Sequence, residues 1–112
     1  MNPTTAIPGR GDVVWVALNL QAGHEQTGRR PAVVLSPKEY NGKTGLAISC
    51  PITSQIKGYP FEVAIAGDLP GAALADQVKS LDWVARKARH KGRVSADELA
   101  QVRAKMVALI GK

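Results

Sequence analysis

Short apolar runs, separated by Gly, Pro and polar residues, recur along most of this chain. They occupy residues 13–18, 31–36, 44–51, 61–65 and 72–78. Runs of this length between turn-forming residues are typical of β-strands. The pattern therefore predicts five strands. The first is almost entirely apolar, so we expect one of its faces in the core and the other against a neighbouring element or subunit.

The end of the chain has a helical period instead. Ser95 and Glu98 have the spacing of a capping box, and Gly111 is placed to end the helix. Between them, apolar residues recur at steps of three and four: Leu99, Val102, Met106, Leu109 and Ile110. This spacing predicts a helix of about 15 residues. Shorter helical turns are predicted at residues 37–42 and 81–86.

Several strands followed by one terminal helix predict a mostly β fold with a C-terminal α-helix. We expect a small barrel or rolled sheet that the helix covers on one side. At 112 residues the chain is expected to be one domain, residues 1–112, with a loose N-terminal arm at residues 1–10. No apolar run approaches the ~18 residues of a membrane-spanning helix, so we expect a soluble, cytoplasmic protein.

The charge of the chain favours a polyanionic partner. There are 15 Lys and Arg residues against 9 Asp and Glu, which gives a formal net charge of +6. Much of the surplus lies in residues 79–93, where Asp82 is the only acid, although such a run also fits a plain solvated face. These basic residues are Lys79, Arg86, Lys87, Arg89, Lys91 and Arg93.

Metal and cofactor chemistry have little support in the residue types. The chain has two His and one Cys, Cys50, and no spacing that resembles a set of metal ligands. It has neither a Gly-rich phosphate loop nor a G-x-S-x-G elbow. We therefore predict no cofactor. Cys50 lies in an apolar run, so we expect it to be a small buried hydrophobe.

The polar segment GHEQTGRRP, residues 23–31, lies between two predicted strands and concentrates reactive side chains. It has three interpretations: a phosphate-handling catalytic loop, an anion-binding patch, or a simple connection. Metal-free RNA cleavage needs a base for the ribose 2′-hydroxyl, an acid for the leaving oxygen, and stabilisation of charge on the phosphate. Glu25 or His24 can serve as the base, and Arg30 matches phosphate oxygens. Thr53, predicted in a polar loop after the third strand, can donate a hydrogen bond.

Four segments give the chain a resemblance to a known family. They are GDVVWV at 11–16, GHEQTGRRPAVVLSP at 23–37, PITSQIKGYPFEV at 51–63 and LADQVKSLDW at 74–83. In this order and spacing, over about residues 11–111, the chain resembles the MazF/PemK toxin family, and its MazF branch in particular. The resemblance implies a homodimer with an SH3-like (CcdB/PemK/MazF-type) barrel.

The same resemblance implies a function. The chain would be the toxin of a type II toxin–antitoxin system, a metal-independent, sequence-specific endoribonuclease (an mRNA interferase). It would cut single-stranded RNA by 2′-hydroxyl attack and leave 2′,3′-cyclic phosphate and 5′-hydroxyl ends. Its protein partner would be an antitoxin with a disordered, acidic C-terminal tail that blocks the RNA groove.

Carried over by position, the catalytic pair falls on Arg30 and Thr53, with Glu25 beside them. The pKa of an Arg side chain lies above ~12, so we assign Arg30 to charge stabilisation rather than proton donation. The alternative is that Arg30 is a surface ion-pair residue, Thr53 a turn residue and Glu25 a residue that only holds its loop.

A Kid-like branch of the family uses His, Arg and Asp in its site. Here His24 matches the His and Asp76 the Asp, but Leu74 stands where that branch has Arg, so the Kid-type assignment is doubtful. Residues expected to contact RNA through phosphates or bases are His24, Arg29, Ser54, Gln55, Lys57, Asp76, Gln77, Lys79 and Arg86. Base reading is assigned to the loops at residues 21–28 and 54–59.

Two other functions fit a chain of this kind. One is a non-catalytic, CcdB-like toxin that binds a DNA topoisomerase, and the other is an SH3-like nucleic-acid-binding module. A protein that only binds does not need Arg30 paired with Thr53. That pairing therefore favours the endoribonuclease.

Overall fold

The computed structural model describes residues 6–17, 28–67 and 70–111. Seven strands and two helices lie in these ranges, so the expected mostly β fold with a C-terminal helix is confirmed. In chain order they are β1 (Asp12–Ala17), β2 (Arg29–Val34), α1 (Lys38–Thr44), β3 (Leu46–Thr53), β4 (Glu62–Ile65), β5 (Gly71–Leu74), β6 (Lys79–Asp82), β7 (Arg89–Arg93) and α2 (Ala96–Ile110). Within these ranges, no helix is long and apolar enough to cross a membrane.

The strands form one antiparallel sheet whose centre is β3. The order is β4-β5-β3-β2-β1-β7, and β6 pairs with β3 beside this path. Leu46 to Ser49 pair with β6, whereas Ile52 and Thr53 pair with β5. Because β2 pairs with the other edge of β3, both β6 and β5 pair with the same edge of β3. β6 pairs with its first half and β5 with its last two residues. Thr53 is therefore a strand residue at this junction, and its predicted position in the following loop is wrong.

Both faces of the sheet carry a hydrophobic cluster. On one face Val13, Val33 and Cys50 pack with Val102 of α2, and on the other Val14 packs with further apolar residues of the sheet and of β6–β7. Successive side chains of a strand point to opposite faces. This alternation explains why β1 is almost entirely apolar, and its predicted two-sided burial is confirmed.

The terminal helix α2 begins and ends where its sequence predicts. Ser95 and Glu98 make both hydrogen bonds of the capping box, and Gly111 closes the helix in the left-handed conformation at φ 81°. Val102 is fully buried, whereas Leu109 and Ile110 are 55% and 74% exposed. The apolar period therefore wrongly predicted that the last turn of α2, with Leu109 and Ile110, contacts the core.

The basic run of residues 79–93 forms β6 and β7, which the sequence did not predict. Both strands are mostly exposed, so they lack the alternation of buried and polar residues on which strand prediction relies. The predicted helical turn lies slightly later than expected, at residues 83–87. The predicted strand at 72–78 stops at Leu74, because the Gln77 N–H donates to the Leu74 carbonyl and turns the chain.

The described part of the N-terminal arm, residues 6–10, is attached to the sheet. Pro8 is buried, and its carbonyl accepts a hydrogen bond from Asn41 of α1. The Gly9 N–H donates to the Asp12 carboxylate, and Arg10 donates to the Leu35 carbonyl. The expectation of a loose arm is therefore wrong for these residues.

Candidate active site

The register of β2 against β3 brings Arg30 and Thr53 together. Ala32 pairs with Pro51 in this ladder. Arg30 and Thr53 each lie two residues beyond this pair on their own strands, and both line one cavity. On its other side Arg30 pairs with Val16 of β1. Residues 23 positions apart in the sequence are thus adjacent at the end of the sheet.

A cavity of about 440 Å³ opens at this end of the sheet, and we call it the arginine–threonine cavity. Its polar lining comes from the start of β2 and the end of β3 and consists of Arg29, Arg30, Thr53, Ser54 and Gln55. Its apolar lining consists of Trp15, Pro31, Ile52 and Pro70. Five residues that the sequence analysis assigned to the site therefore share one cavity.

Thr53 is held in place through both its side chain and its backbone. Its hydroxyl oxygen accepts a hydrogen bond of 3.1 Å from the Gln55 N–H, which leaves the O–H free to donate. Next to it, β5 approaches so closely that a Cβ added at Gly71 would lie 2.4 Å from the Thr53 carbonyl oxygen. The absent side chain of Gly71 therefore permits this close approach of β5 to the end of β3.

The Arg30 side chain is exposed and makes no hydrogen bond or ion pair with any residue that the structure describes. Besides the arginine–threonine cavity it lines a second one of about 110 Å³, here the cationic cavity, together with Lys79 and Arg86. No acid lines this second cavity. Arg86 has a structural contact as well, because its guanidinium donates to the Ala17 carbonyl at 2.8 Å. Three cations at one small cavity can attract an anion such as a phosphate oxygen.

Two further residues from the sequence analysis lie in a third cavity. This tyrosine cavity, about 180 Å³ in volume, contains Lys57 and Gln77 and shares Thr53 and Gln55 with the arginine–threonine cavity. Its remaining lining is Tyr59, Phe61, Glu62 and Leu74.

Asp76 is not brought into any of these three cavities. It is exposed in the turn that follows β5. Burial, assisted by the negative charge of Asp76, raises the pKa of the Cys50 thiol to about 12. The buried thiol is therefore protonated at neutral pH, as expected of a small core residue. His24 and Glu25 lie outside the described residues.

Sequence reasoning missed the apolar lining of the arginine–threonine cavity. Trp15 belongs to the strand expected to be covered on both faces, yet it is only half-buried and the Lys91 ammonium lies 5.5 Å from its ring centroid. The sequence feature that could have pointed to Trp15 is its size, since it is the one large aromatic residue among the small aliphatic residues of this strand. Among the described residues, no group of three or more His, Cys, Asp or Glu is placed to hold a metal ion.

A family model confirms the resemblance that the sequence motifs indicated. The model for PemK-like, MazF-like toxins of type II toxin–antitoxin systems matches residues 9–110. The chain belongs to this family. It is 53% identical over 106 residues to the endoribonuclease toxin MazF of Escherichia coli (strain K12), covering 94% of this chain and 96% of that protein.

Solved structures give the same assignment. MazF from Deinococcus radiodurans superimposes with a TM-score of 0.85 at 51% identity, over 96% of this chain and 99% of that one. A MazE–MazF structure from the same organism has a TM-score of 0.87 at 48% identity, over 95% and 98% of the two chains. The chain is thus a MazF-like endoribonuclease toxin with the SH3-like barrel fold of these relatives.

Proposed function

We propose that this toxin cleaves single-stranded RNA, without a metal ion, at a phosphate bound between Arg30 and Thr53. The observation that carries the proposal is the meeting of these two residues in one cavity, each two residues beyond the last pair of β2 and β3. The Arg30 guanidinium is exposed and has no partner among the described residues, and the Thr53 hydroxyl has a hydrogen free to donate. Such groups can bind a phosphate and stabilise the negative charge that builds up on it in a displacement reaction.

The reaction begins with attack of the ribose 2′-oxygen on the adjacent phosphorus. The new P–O2′ bond forms as the P–O5′ bond breaks, which leaves a 2′,3′-cyclic phosphate and a 5′-hydroxyl. A base takes the 2′-hydroxyl proton, and an acid supplies a proton to the departing 5′-oxygen. Arg30 stabilises the charge on the non-bridging oxygens, and the Thr53 hydroxyl donates to the same phosphate.

Glu25 and His24 are the proposed bases, since the sequence places them five and six residues before Arg30. Arg29, Ser54 and Gln55 are proposed to contact the nucleotides on either side of the cleaved bond. The cationic cavity would hold a neighbouring phosphate through Lys79 and Arg86.

The proposed protein partner is an antitoxin with an acidic C-terminal tail. The solved structures include MazE–MazF from Deinococcus radiodurans, which supports a partner of this kind. An acidic tail would complement the cations that line the arginine–threonine and cationic cavities. The homodimer stays a prediction from the family resemblance, and light scattering of the free toxin tests it.

The test is cleavage of a long single-stranded RNA in excess EDTA, followed by mapping of the cut and analysis of its ends. We expect discrete fragments that end in 2′,3′-cyclic phosphate and 5′-hydroxyl. A short RNA with the mapped sequence then carries one 2′-deoxynucleotide on the 5′ side of the cut. This substrate lacks the nucleophile, so it should bind but stay intact.

Three results would contradict the mechanism: loss of cleavage in EDTA with restoration by a metal ion, cleavage of the 2′-deoxy substrate, or products with a 3′-hydroxyl. Binding of RNA with no cleavage by the folded protein would instead favour the nucleic-acid-binding module. The similar proteins are named as endoribonuclease toxins, which favours the endoribonuclease over that module and over a CcdB-like topoisomerase poison.

A further inference from the structure

The tyrosine cavity lies next to the arginine–threonine cavity. Thr53 and Gln55 line both of them, so they form the wall that the two cavities share. One of the two nucleotides that flank a phosphate lying against Arg30 and Thr53 can therefore reach the tyrosine cavity. There it meets the rings of Tyr59 and Phe61.

Tyr59 and Phe61 form a stacked pair in this cavity. Their ring centroids are 5.2 Å apart and their planes differ by 27°. Tyr59 is 50% exposed, so much of its ring remains accessible. The chain has only two Tyr, two Trp and one Phe, and two of these five aromatic residues lie together in this cavity. Aromatic rings of this kind are the stacking surfaces that unpaired bases use.

The loop that carries Tyr59 is fixed before any ligand arrives. The Glu62 carboxylate accepts hydrogen bonds from the Lys57 N–H at 3.2 Å and from the Gly58 N–H at 2.9 Å. On the far side, the Lys105 ammonium of α2 donates to the Pro60 carbonyl. A surface held in this way loses little conformational entropy when a ligand binds.

The polar groups of the cavity also suit a base. Gln77 is exposed and its amide offers one acceptor and two donors, as a base edge requires. Lys57 is exposed and adds positive charge for the phosphate of the same nucleotide. Both oxygens of Glu62 are occupied by the loop, so this acid is engaged rather than facing the RNA as a free acceptor.

We propose that the tyrosine cavity is a base subsite, in which one nucleotide flanking the cleaved phosphate stacks on Tyr59 and presents its edge to Gln77. This inference rests on the proposed function, because it takes the position of the cleaved phosphate from it. It gives Tyr59 and Gln77 specific roles, a stacking ring and a base-edge contact, and it makes Glu62 a positioning residue that acts through the loop.

The test removes one base from the RNA and the Tyr59 ring from the protein, separately and together. Wild-type protein and Tyr59→Ala are each assayed on the mapped RNA and on versions with one abasic ribonucleotide immediately 5′ or 3′ of the cut. Stacking on an aromatic ring is worth roughly 5- to 150-fold per base. We expect wild type to lose that factor in kcat/KM at one abasic position, and Tyr59→Ala to lose it on the intact RNA and lose nothing further on that abasic RNA.

Two variants serve as controls. Tyr59→Phe keeps the ring and should resemble wild type. Tyr40→Ala removes an exposed Tyr from α1, away from all three cavities, and should change nothing.

The outcomes separate this subsite from the cleavage mechanism itself. Cleavage of the intact RNA by wild type reports on the mechanism alone. If wild type tolerates both abasic substrates, or if the abasic loss is equally large in Tyr59→Ala, no base stacks on Tyr59 and the subsite is overturned. If Tyr59→Ala cleaves normally but binds an acidic peptide less well, the cavity belongs to a protein partner instead.

Discussion

At the start of β2, the side chains of Arg29 and Arg30 are exposed and make no hydrogen bond or ion pair within the described residues. At the β7 edge two of the basic side chains are engaged: Arg93 donates to the Asp12 carboxylate at 2.6 Å, and Lys91 lies over Trp15. The sequence has its highest density of positive charge in the second region. The first region, with fewer cations, is the one with free guanidinium groups in a cavity beside Thr53.

The difference teaches that charge density alone does not locate an anion site. Cations that pair with the protein's own acids and carbonyls stabilise the fold and have less capacity left for a ligand. Cations that the fold leaves without partners retain their full attraction for a phosphate. We therefore expect variants of the two regions to fail in opposite ways, one losing activity and the other stability.

The largest expected effect is that of Arg30→Ala. Loss of a charged donor aimed at the reacting phosphate should lower kcat by about 10²- to 10³-fold. The free energy of unfolding should change by less than about 0.5 kcal/mol, because an exposed side chain without partners contributes little. Initial rates on RNA in EDTA and urea unfolding measure the two quantities. Arg103→Ala, an exposed Arg of α2, is the matched control and should leave both unchanged.

Arg93→Ala should show the reverse. Asp12 is 12% exposed in its side chain and would keep a hydrogen bond from the Gly9 N–H but lose that from Arg93. We expect a loss of about 1–2 kcal/mol in the free energy of unfolding, at the low end for a charged hydrogen bond because Arg93 itself is largely exposed. Cleavage measured well below the unfolding transition should match wild type. A strong fall in kcat with stability intact would place β7 in the RNA site and end the contrast.

The same contrast explains which parts of the fold the sequence could predict. The signals for α2 are local, a capping box and an apolar period, so both of its ends were predicted correctly. Strands β6 and β7 are exposed and charged, and their pairing partners lie far away in the sequence, so no local signal marks them. The attachment of Pro8 depends on Asn41 of α1, which is a contact of the same long-range kind.

The candidate site was predicted in part for a similar reason. Residue types suggested Arg30 as a phosphate ligand, a role that stays a prediction, but its proximity to Thr53 depends on how β2 and β3 pair, which needs the topology. The family resemblance supplied that pairing before the structure did. It did not supply Trp15 or Tyr59, whose positions beside the cavities follow from the side of the sheet or loop on which each lies.

Thr53→Val tests the second half of the site and should have a smaller effect than Arg30→Ala. Val matches the shape of Thr but has no hydroxyl, so the donor to the phosphate and the acceptor for the Gln55 N–H are both removed. We expect kcat to fall about tenfold, as for one hydrogen bond to a charged group. Thr53→Ser restores the hydroxyl and should recover most of the rate. Equal rates for Val and Ser would show that only the position of the strand end matters.

The smallest expected effect extends the comparison to an acid paired within the fold. Burial raises the pKa of Glu98, but hydrogen bonds from the Ala66 and Ser95 N–H groups and the Ser95 side chain outweigh it, and the pKa lies below its ordinary value. In the ionised state Glu98 thus holds both the start of α2 and the end of β4. Its lowered pKa means that the carboxylate contributes stability at neutral pH, which is lost as the pH falls through the folded-state pKa.

Glu98→Gln keeps the shape of the side chain but replaces one of its two acceptor oxygens by an NH₂ group. We expect a loss of about 0.5–1 kcal/mol in the free energy of unfolding at neutral pH. The difference in unfolding free energy from wild type should shrink as the pH falls below the ordinary Glu value of 4.5 and through the lower folded-state pKa. The wild-type side chain then becomes protonated and, like Gln, uncharged. Urea unfolding of both proteins from about pH 7 to about pH 3 measures this convergence. A gap that stays constant over this range would mean that the shape of the cap, and not its charge, stabilises α2, and RNA cleavage at neutral pH should be the same in both proteins.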